Sequence, residues 1–161
     1  MTRDSERVPA AAMIRQLARF RYELRKFLRF SEQAARNAGL TPQQHQLLLG
    51  VAGYTGRGWA TISELAEFLQ ERHNAVVGLV DRARRRGLVT KELDARDRRL
   101  VRVGLTPEGR KLLHQLSALH RGELSRLQAR AGLAFGLRAE RMAKLNKGDR
   151  RTAERPAPET K

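Results

Sequence analysis

Apolar and charged positions alternate along residues 10–37 with a helical period. Ile14, Leu17, Leu24 and Leu28 recur at spacings of 3, 7 and 4, with Phe20 and Phe27 on the same broad stripe. Arg15, Arg19, Arg25, Lys26 and Arg29 occupy the other side. The spacing predicts one long helix, stopped by Gly39. Thr41-Pro42-Gln43-Gln44 then restarts a helix, with Thr41 as N-cap, Pro42 in the first turn and Gln44 reaching back from the third position. This second helix carries HQLLLGVAG and ends near Gly53, Gly56 and Gly58.

Thr61 and Glu64 repeat the capping signature, and Ile62, Leu65, Ala66 and Leu69 give a third helix its apolar face. A break at Gln70 to His73 precedes a fourth helix, roughly 73–86, with Val76, Leu79, Val80 and Ala83 as its buried side and Gly87 as its stop. The period then changes to two. Leu88 to Leu93 and Leu100 to Leu105 read as strands; in the second, Val101, Val103 and Leu105 alternate with Arg102 and Gly104. Their connection, Asp94 to Arg99, is polar except for Ala95. Thr106-Pro107-Glu108 opens a fifth helix with a stripe of Leu112, Leu113, Leu116, Leu119, Leu124 and Leu127. Beyond about Arg130 the helical signal weakens, because Gly132 and Gly136 each cost a helix ~1 kcal/mol relative to alanine. Residues 1–9 are expected to be a flexible N-terminus and residues 146–161, polar with Pro156 and Pro158, a disordered basic tail. No internal repeat is visible. The expected fold class is mainly α with a small β-hairpin wing, in the order of a winged helix-turn-helix, with a core at 41–105 inside one domain at 10–145.

Charge gives this fold a use. The 161 residues hold 33 Lys and Arg against 17 Asp and Glu, a net charge of +16, which points to a polyanion as partner. The longest apolar stretch, Leu47 to Gly53, is far short of the ~20 residues of a membrane span, so no membrane partner is expected. There is no apolar segment of signal-peptide type near the N-terminus, and Asp4, Glu6 and Glu23 argue against an organellar presequence, so a cytoplasmic location is expected. The absence of cysteine excludes disulfides, cysteine-based zinc sites and a thiol switch. An enzyme is not expected: there is no Ser-His-Asp spacing, phosphate loop or Gly-x-Gly-x-x-Gly. His114 and His120, six apart, lie ~120° from one helix face and make a poor chelating pair; neither metal nor cofactor is expected. His45 either lines a ligand pocket with Tyr54 or Trp59 or, more ordinarily, is packed and hydrogen-bonded.

Between Arg72 and Arg102 there are 10 basic and 4 acidic residues. A helix-turn-helix sets the start of its second helix against base edges, which selects Arg72, His73, Asn74, Val77 and Gly78. Arginine can fork onto guanine, asparagine onto adenine, and Val77 can touch a thymine methyl, whereas Gly78 only permits close approach. His73 is alternatively an exposed helix-start residue, and Asn74 alternatively an N-cap. Arg82 and Arg84 to Arg86 suit phosphates, or else a solvated face that complements the helix dipole. In the loop, Asp94, Arg96, Asp97, Arg98 and Arg99 alternate in sign. An Asp two positions before an Arg can brace its guanidinium for a narrow minor groove, against the alternative of a solubilising hairpin tip.

These elements together resemble the MarR family of bacterial and archaeal transcription regulators, over about residues 10–130. LTPQQHQLLLGV resembles the family's second helix, TISELAEFLQERHNAVVGLVDRARRRGLV its helix-turn-helix, and DARDRRLVRVGLTPEGRKLL its wing and following helix. The most specific element is D-x-x-D-x-R followed by L-T-x-x-G, present as Asp94, Asp97, Arg99, Leu105, Thr106 and Gly109. The resemblance implies a homodimer whose interface uses the first and the last two helices, here 10–37 and 107–145. It also implies a fourth helix in the major groove of a pseudo-palindromic double-stranded operator, with Arg99 in the minor groove. A repressor released by a small phenolic or other anionic effector is implied as well, with the ligand residues unknown, in the nucleoid of a prokaryotic cytoplasm. Glu71, Gly78 and the segment AGLAFGLRAERMAKLNKG depart from the family pattern. The competing reading is a non-specific, chromatin-like basic protein. Aromatic residues are only 5% and do not alternate with basic ones, which disfavours single-strand binding.

Overall fold

A computed structural model describes residues 10–131 except Arg96. The expectations for residues 1–9, for Arg96, for a helix past residue 131 and for the 146–161 tail lie outside the described residues. The elements are α1 (Ala10–Asn37), α2 (Pro42–Leu49) continued by one wide turn (Gly50–Tyr54), β1 (Trp59–Thr61), α3 (Ile62–Leu69), α4 (His73–Arg85), β2 (Val89–Leu93), β3 (Val101–Leu105) and α5 (Pro107–Ala131).

Local hydrogen bonding explains the boundaries. Before α2, the Gln44 amide donates to Thr41 Oγ1 at 3.1 Å and the Thr41 amide to Gln44 Oε1 at 3.0 Å. Before α3, the same reciprocal pair joins Thr61 and Glu64 at 3.3 and 2.8 Å. Each box satisfies two amides that the first helical turn leaves without partners. Helix α4 closes through Gly87 at φ 68°. The Gly87 amide bonds the Arg84 carbonyl at 2.9 Å and the Leu88 amide that of Ala83 at 3.0 Å, the double closure that a left-handed residue permits.

The start of α5 is clamped to that closure. Thr106 accepts the Gly109 amide at 3.0 Å, while its hydroxyl reaches Gly87 O at 2.6 Å and its own amide donates to Leu88 O at 3.1 Å. A Cβ at Gly109 would stand 2.0 Å from Leu88 O. The sequence signature L-T-x-x-G is therefore a close backbone crossing, held by Thr106 and possible only with glycine at the fifth place, Gly109.

The sheet contains the expected hairpin and adds one strand to it. The wing is not a two-stranded hairpin alone: β1 joins it in a three-stranded antiparallel sheet of order β1-β3-β2. Trp59 pairs with Gly104 and Thr61 with Arg102, while Val89 to Leu93 pair with Leu105 to Val101. Three residues are too few for a legible period of two, so β1 exists through its partner rather than through its own pattern. One core runs beneath these elements: Ala34 and Ala35 of α1, Leu47, Leu48 and Val51, Leu65, Val76 and Val80, Val103, and Leu113 and Leu116 of α5. The apolar stripe on the first half of α1 is not part of it. Met13, Ile14 and Leu17 are 58%, 68% and 55% exposed in the single chain.

Candidate nucleic-acid interface

The helix-turn-helix is α3, a three-residue turn and α4. Gln70 takes the left-handed conformation at φ 54°, ψ 40°, and the Glu71 amide closes back on Ala66 O at 3.0 Å. Arg72 is extended, and α4 begins at His73 without a side-chain cap. Asn74 is accordingly inside the first turn rather than its N-cap. Four buried residues, Val76, Leu79, Val80 and Ala83, seat α4 on the core. This leaves Arg72, His73 and Asn74 exposed at its N-terminal end, with Gly78 half-buried further along. Val77, read from the sequence as a methyl contact, is half-buried and packs partly against the core. A cleft of about 310 Å³ runs beside this face, lined by Gln43, Glu71, Asn74, Gly78, Leu79 and Arg82. The missing side chain at Gly78 leaves a notch covered by Arg82, whose Nη1 lies 3.3 Å from where a Cβ would sit.

The arginines at the end of α4 divide. Arg84 and Arg85 are exposed in the last turn, beside the helix C-terminus. Arg86 is engaged: it donates to Gln44 Oε1 and to Gly39 O, both at 2.8 Å, tying the end of α4 to the α1–α2 corner. Lys91 is similarly paired with Asp81 at 2.8 Å, and this hydrogen bond holds the Asp81 carboxyl below its ordinary range.

In the wing, the acidic residues brace the backbone. Asp94 is buried; its Oδ1 accepts the Asp97 amide at 3.0 Å and its Oδ2 accepts Arg102 Nε. Asp97 Oδ1 accepts the Arg99 amide at 3.0 Å. The sequence reading had Asp97 bracing a guanidinium; Asp97 instead meets Arg99 at its main chain. The turn is completed by Asp94 N to Leu100 O and Leu100 N to Asp97 O, both 2.9 Å. Arg98 and Arg99 are exposed at its tip.

Two further constellations were not anticipated in the sequence. Trp59 carries two guanidiniums over its ring, with Arg57 Cζ 4.1 Å and Arg102 Cζ 4.2 Å from the ring centroid. Arg57 Nη2 donates to both carboxylate oxygens of Glu64, at 2.6 and 2.7 Å. Burial pushes the Glu64 carboxyl up, but the Thr61 and Arg57 hydrogen bonds outweigh it and hold the group below its ordinary range. The only advance signal would have been the strand β1, which pairs with β3 some 40 residues away.

The second constellation is a histidine pair. His45 is buried, with its ring 5.0 Å from His120 of α5. His120 Nδ1 bonds Leu116 O at 2.7 Å and Nε2 bonds Ser31 Oγ of α1 at 2.8 Å, with Phe27 and Phe30 against its ring. Burial, and next the neighbouring His120, lower the His45 pKa to about 4. His45 thus sits packed in the α1–α2–α5 junction, the more ordinary of its two readings, while Tyr54 packs on Phe68 and Trp59 joins the arginine stack. Among the described residues no cluster of three metal-binding side chains occurs, and no helix is long and apolar enough to cross a membrane.

Residues 38–100 match the model of the MarR family. No curated protein matches the chain significantly. Solved structures share its fold. AbsC, a MarR family transcriptional regulator from Streptomyces coelicolor, is 19% identical over 92% of this chain and 96% of its own, with a TM-score of 0.63. A mutant MepR from S. aureus, bound to an oligodeoxyribonucleotide, is 20% identical over 88% and 96%, with a TM-score of 0.55. BpsR from Bordetella bronchiseptica, whose DNA binding is regulated by 6-hydroxynicotinic acid, is 22% identical over 80% and 94%, with a TM-score of 0.55.

Proposed function

For a chain whose residues 38–100 match the MarR family model and whose fold is shared by MarR family structures, we propose sequence-specific binding to double-stranded DNA as a homodimer. The observation that carries this is the pairing of two exposed basic elements on one small framework. Arg72, His73 and Asn74 stand at the free end of α4, with Gly78 and Arg82 along its flank, and Arg98 and Arg99 stand on a turn whose backbone is tied by Asp94 and Asp97. The first element suits base edges in a major groove and the second, with Arg96, a flanking minor groove. Val77 contributes at the edge of this surface. The exposed Met13, Ile14 and Leu17 of α1 support a partner helix there, which would place two α4 helices on a pseudo-palindromic operator. Repression relieved by a small anionic or phenolic effector, in the prokaryotic cytoplasm, completes the proposal; BpsR, regulated by 6-hydroxynicotinic acid, supports it by fold.

Recovery of bound genomic fragments at physiological salt tests the reading: a palindromic site is expected. Equal affinity for any long duplex would replace it with the chromatin-like alternative. Against the recovered site, Arg99→Ala is expected to weaken binding by more than ~1 kcal/mol with the fold intact. Unchanged affinity at fixed salt removes Arg99 from the interface. Asn74→Ala is expected to lose discrimination between that site and random DNA; equal weakening of both would make Asn74 a backbone contact only.

A further inference from the structure

The stack around Trp59 belongs to a longer run of contacts. It begins at the N-terminus of α3, where Glu64 Oε2 accepts Thr61 N at 2.8 Å and Thr61 Oγ1 at 3.0 Å. Glu64 holds Arg57, Arg57 and Arg102 both stack on the Trp59 ring, and Arg102 is held by Asp94. Asp94 in turn fixes the Asp97 amide within the wing turn. The loop that supplies Arg57 is closed by Thr55 Oγ1 on Trp59 O at 2.7 Å. Helix α3 and the wing tip are thus joined through side chains alone, over and above the sheet.

The place where the stack grips the wing matters. Strand β1 covers only residues 102–104 of β3. Beyond Arg102 the wing is a two-stranded ribbon, and such a ribbon has little stability or fixed direction of its own. Arg102 is the last residue of β3 that β1 reaches, so a guanidinium clamped there on an indole sets the angle at which the ribbon leaves the body. Arg57 and Arg102 are both held by carboxylates and by the ring, which suits them to hold a shape rather than to reach a phosphate.

We propose that Trp59 is a positioning residue for DNA binding: stacked with Arg57 and Arg102, it fixes the wing at the angle that lets the wing and α4 engage one duplex together. The proposal rests on the DNA-binding reading above, and its test separates the two. Trp59 is the only tryptophan of the chain, so its emission reports the stack in the free, full-length protein. Arg102→Gln is expected to change the intensity and wavelength of that emission without DNA. Unchanged emission would overturn the stack, whatever the protein binds.

The second arm uses the duplex site recovered at physiological salt. Trp59→Leu keeps the net charge, so the salt dependence of binding should be unaffected unless the wing leaves the DNA. The expected result is a loss of about tenfold or more in affinity and a plot of log affinity against log salt shallower by about one unit, as for one lost phosphate contact. Trp59→Phe, which keeps an aromatic face, is expected to restore most of both. Weakened binding with an unchanged slope would make the residue merely structural and overturn the proposal, as would unchanged affinity. If Trp59→Leu does not fold, the double variant Arg57→Gln/Glu64→Gln replaces it: it also keeps the net charge, and glutamine can still cap α3. The same fall in slope is expected there, and its absence is equally decisive. A wild-type protein that binds no duplex defeats the DNA-binding reading, while the emission result still decides the stack.

Discussion

Gly109→Ala is expected to destabilise the protein by about 3 kcal/mol, the upper end of what overpacking usually costs. The added Cβ would lie 2.0 Å from the Leu88 carbonyl oxygen and 3.0 Å from its carbon. Neither atom belongs to a flexible side chain that can swing aside. Leu88 O already accepts the Thr106 amide at 3.1 Å, so moving it breaks the clamp between α4, β2 and α5. A control is available in the same helix. Gly122 of α5 is exposed, with nothing within 4 Å of a Cβ, and Gly122→Ala is expected to stabilise by up to ~1 kcal/mol through helix propensity. Urea unfolding of the two variants measures both. If Gly109→Ala loses less than about 1 kcal/mol, the crossing at Leu88 is looser than described.

Acid is expected to remove a comparable amount through one residue. His45 is neutral in the folded protein because burial, helped by His120, lowers its pKa to about 4 against an ordinary 6.5. The unfolded chain therefore takes up the proton first. The contribution of neutral His45 is complete above about pH 6.5 and is lost as the pH falls from there towards 4, at ~1.4 kcal/mol per unit, or roughly 3 kcal/mol in all. Glu64 and Asp81 have depressed folded values, so their contributions are lost only as the pH falls from the ordinary carboxylate range through those values. Between pH 6.5 and 5 the loss belongs mainly to His45. The comparison is the urea midpoint of the wild type and of His45→Leu across that interval. The wild type should weaken steeply and the variant much less. Parallel slopes would mean that His45 does not stay neutral in the fold.

What could be read in advance follows the range of the interaction. The capping boxes at Thr41 and Thr61 were legible because both partners lie three residues apart. The apolar face of α4 was legible because a helix repeats its environment every turn, whereas the stripe of α1 gave the helix but not a buried face: Ile14 and Leu17 are exposed. Strand β1 was not, since Trp59 to Thr61 owe their conformation to Val103 and its neighbours. The basic count between Arg72 and Arg102 also concealed a division. Arg86, Lys91 and Arg102 have partners within the chain, at Gly39 and Gln44, Asp81 and Asp94, and no local pattern distinguishes them from Arg84 and Arg85. The alternation of Asp and Arg in the wing was visible, but Asp97 uses it differently from the reading: its carboxylate accepts the Arg99 main-chain amide, which lies within easier reach than the end of a long side chain. The glycine of L-T-x-x-G could be recognised as part of a signature, whereas the carbonyl that requires it lies 21 residues away.

The Leu88 peptide has a kinetic meaning of its own. Its amide closes α4 on Ala83 and its carbonyl receives Thr106 at the head of α5, while β2 starts at the next residue. Three elements thus share one main-chain unit, and fraying of any one of them exposes bonds that the other two need. Helix α4, the wing ribbon and the first turn of α5 are therefore expected to open as one cooperative block rather than separately. The exposed surface of α4 and the wing gains a rigidity that its few side chains could not provide, and exchange of the Leu88 amide proton is the measurement that follows the opening of the whole block.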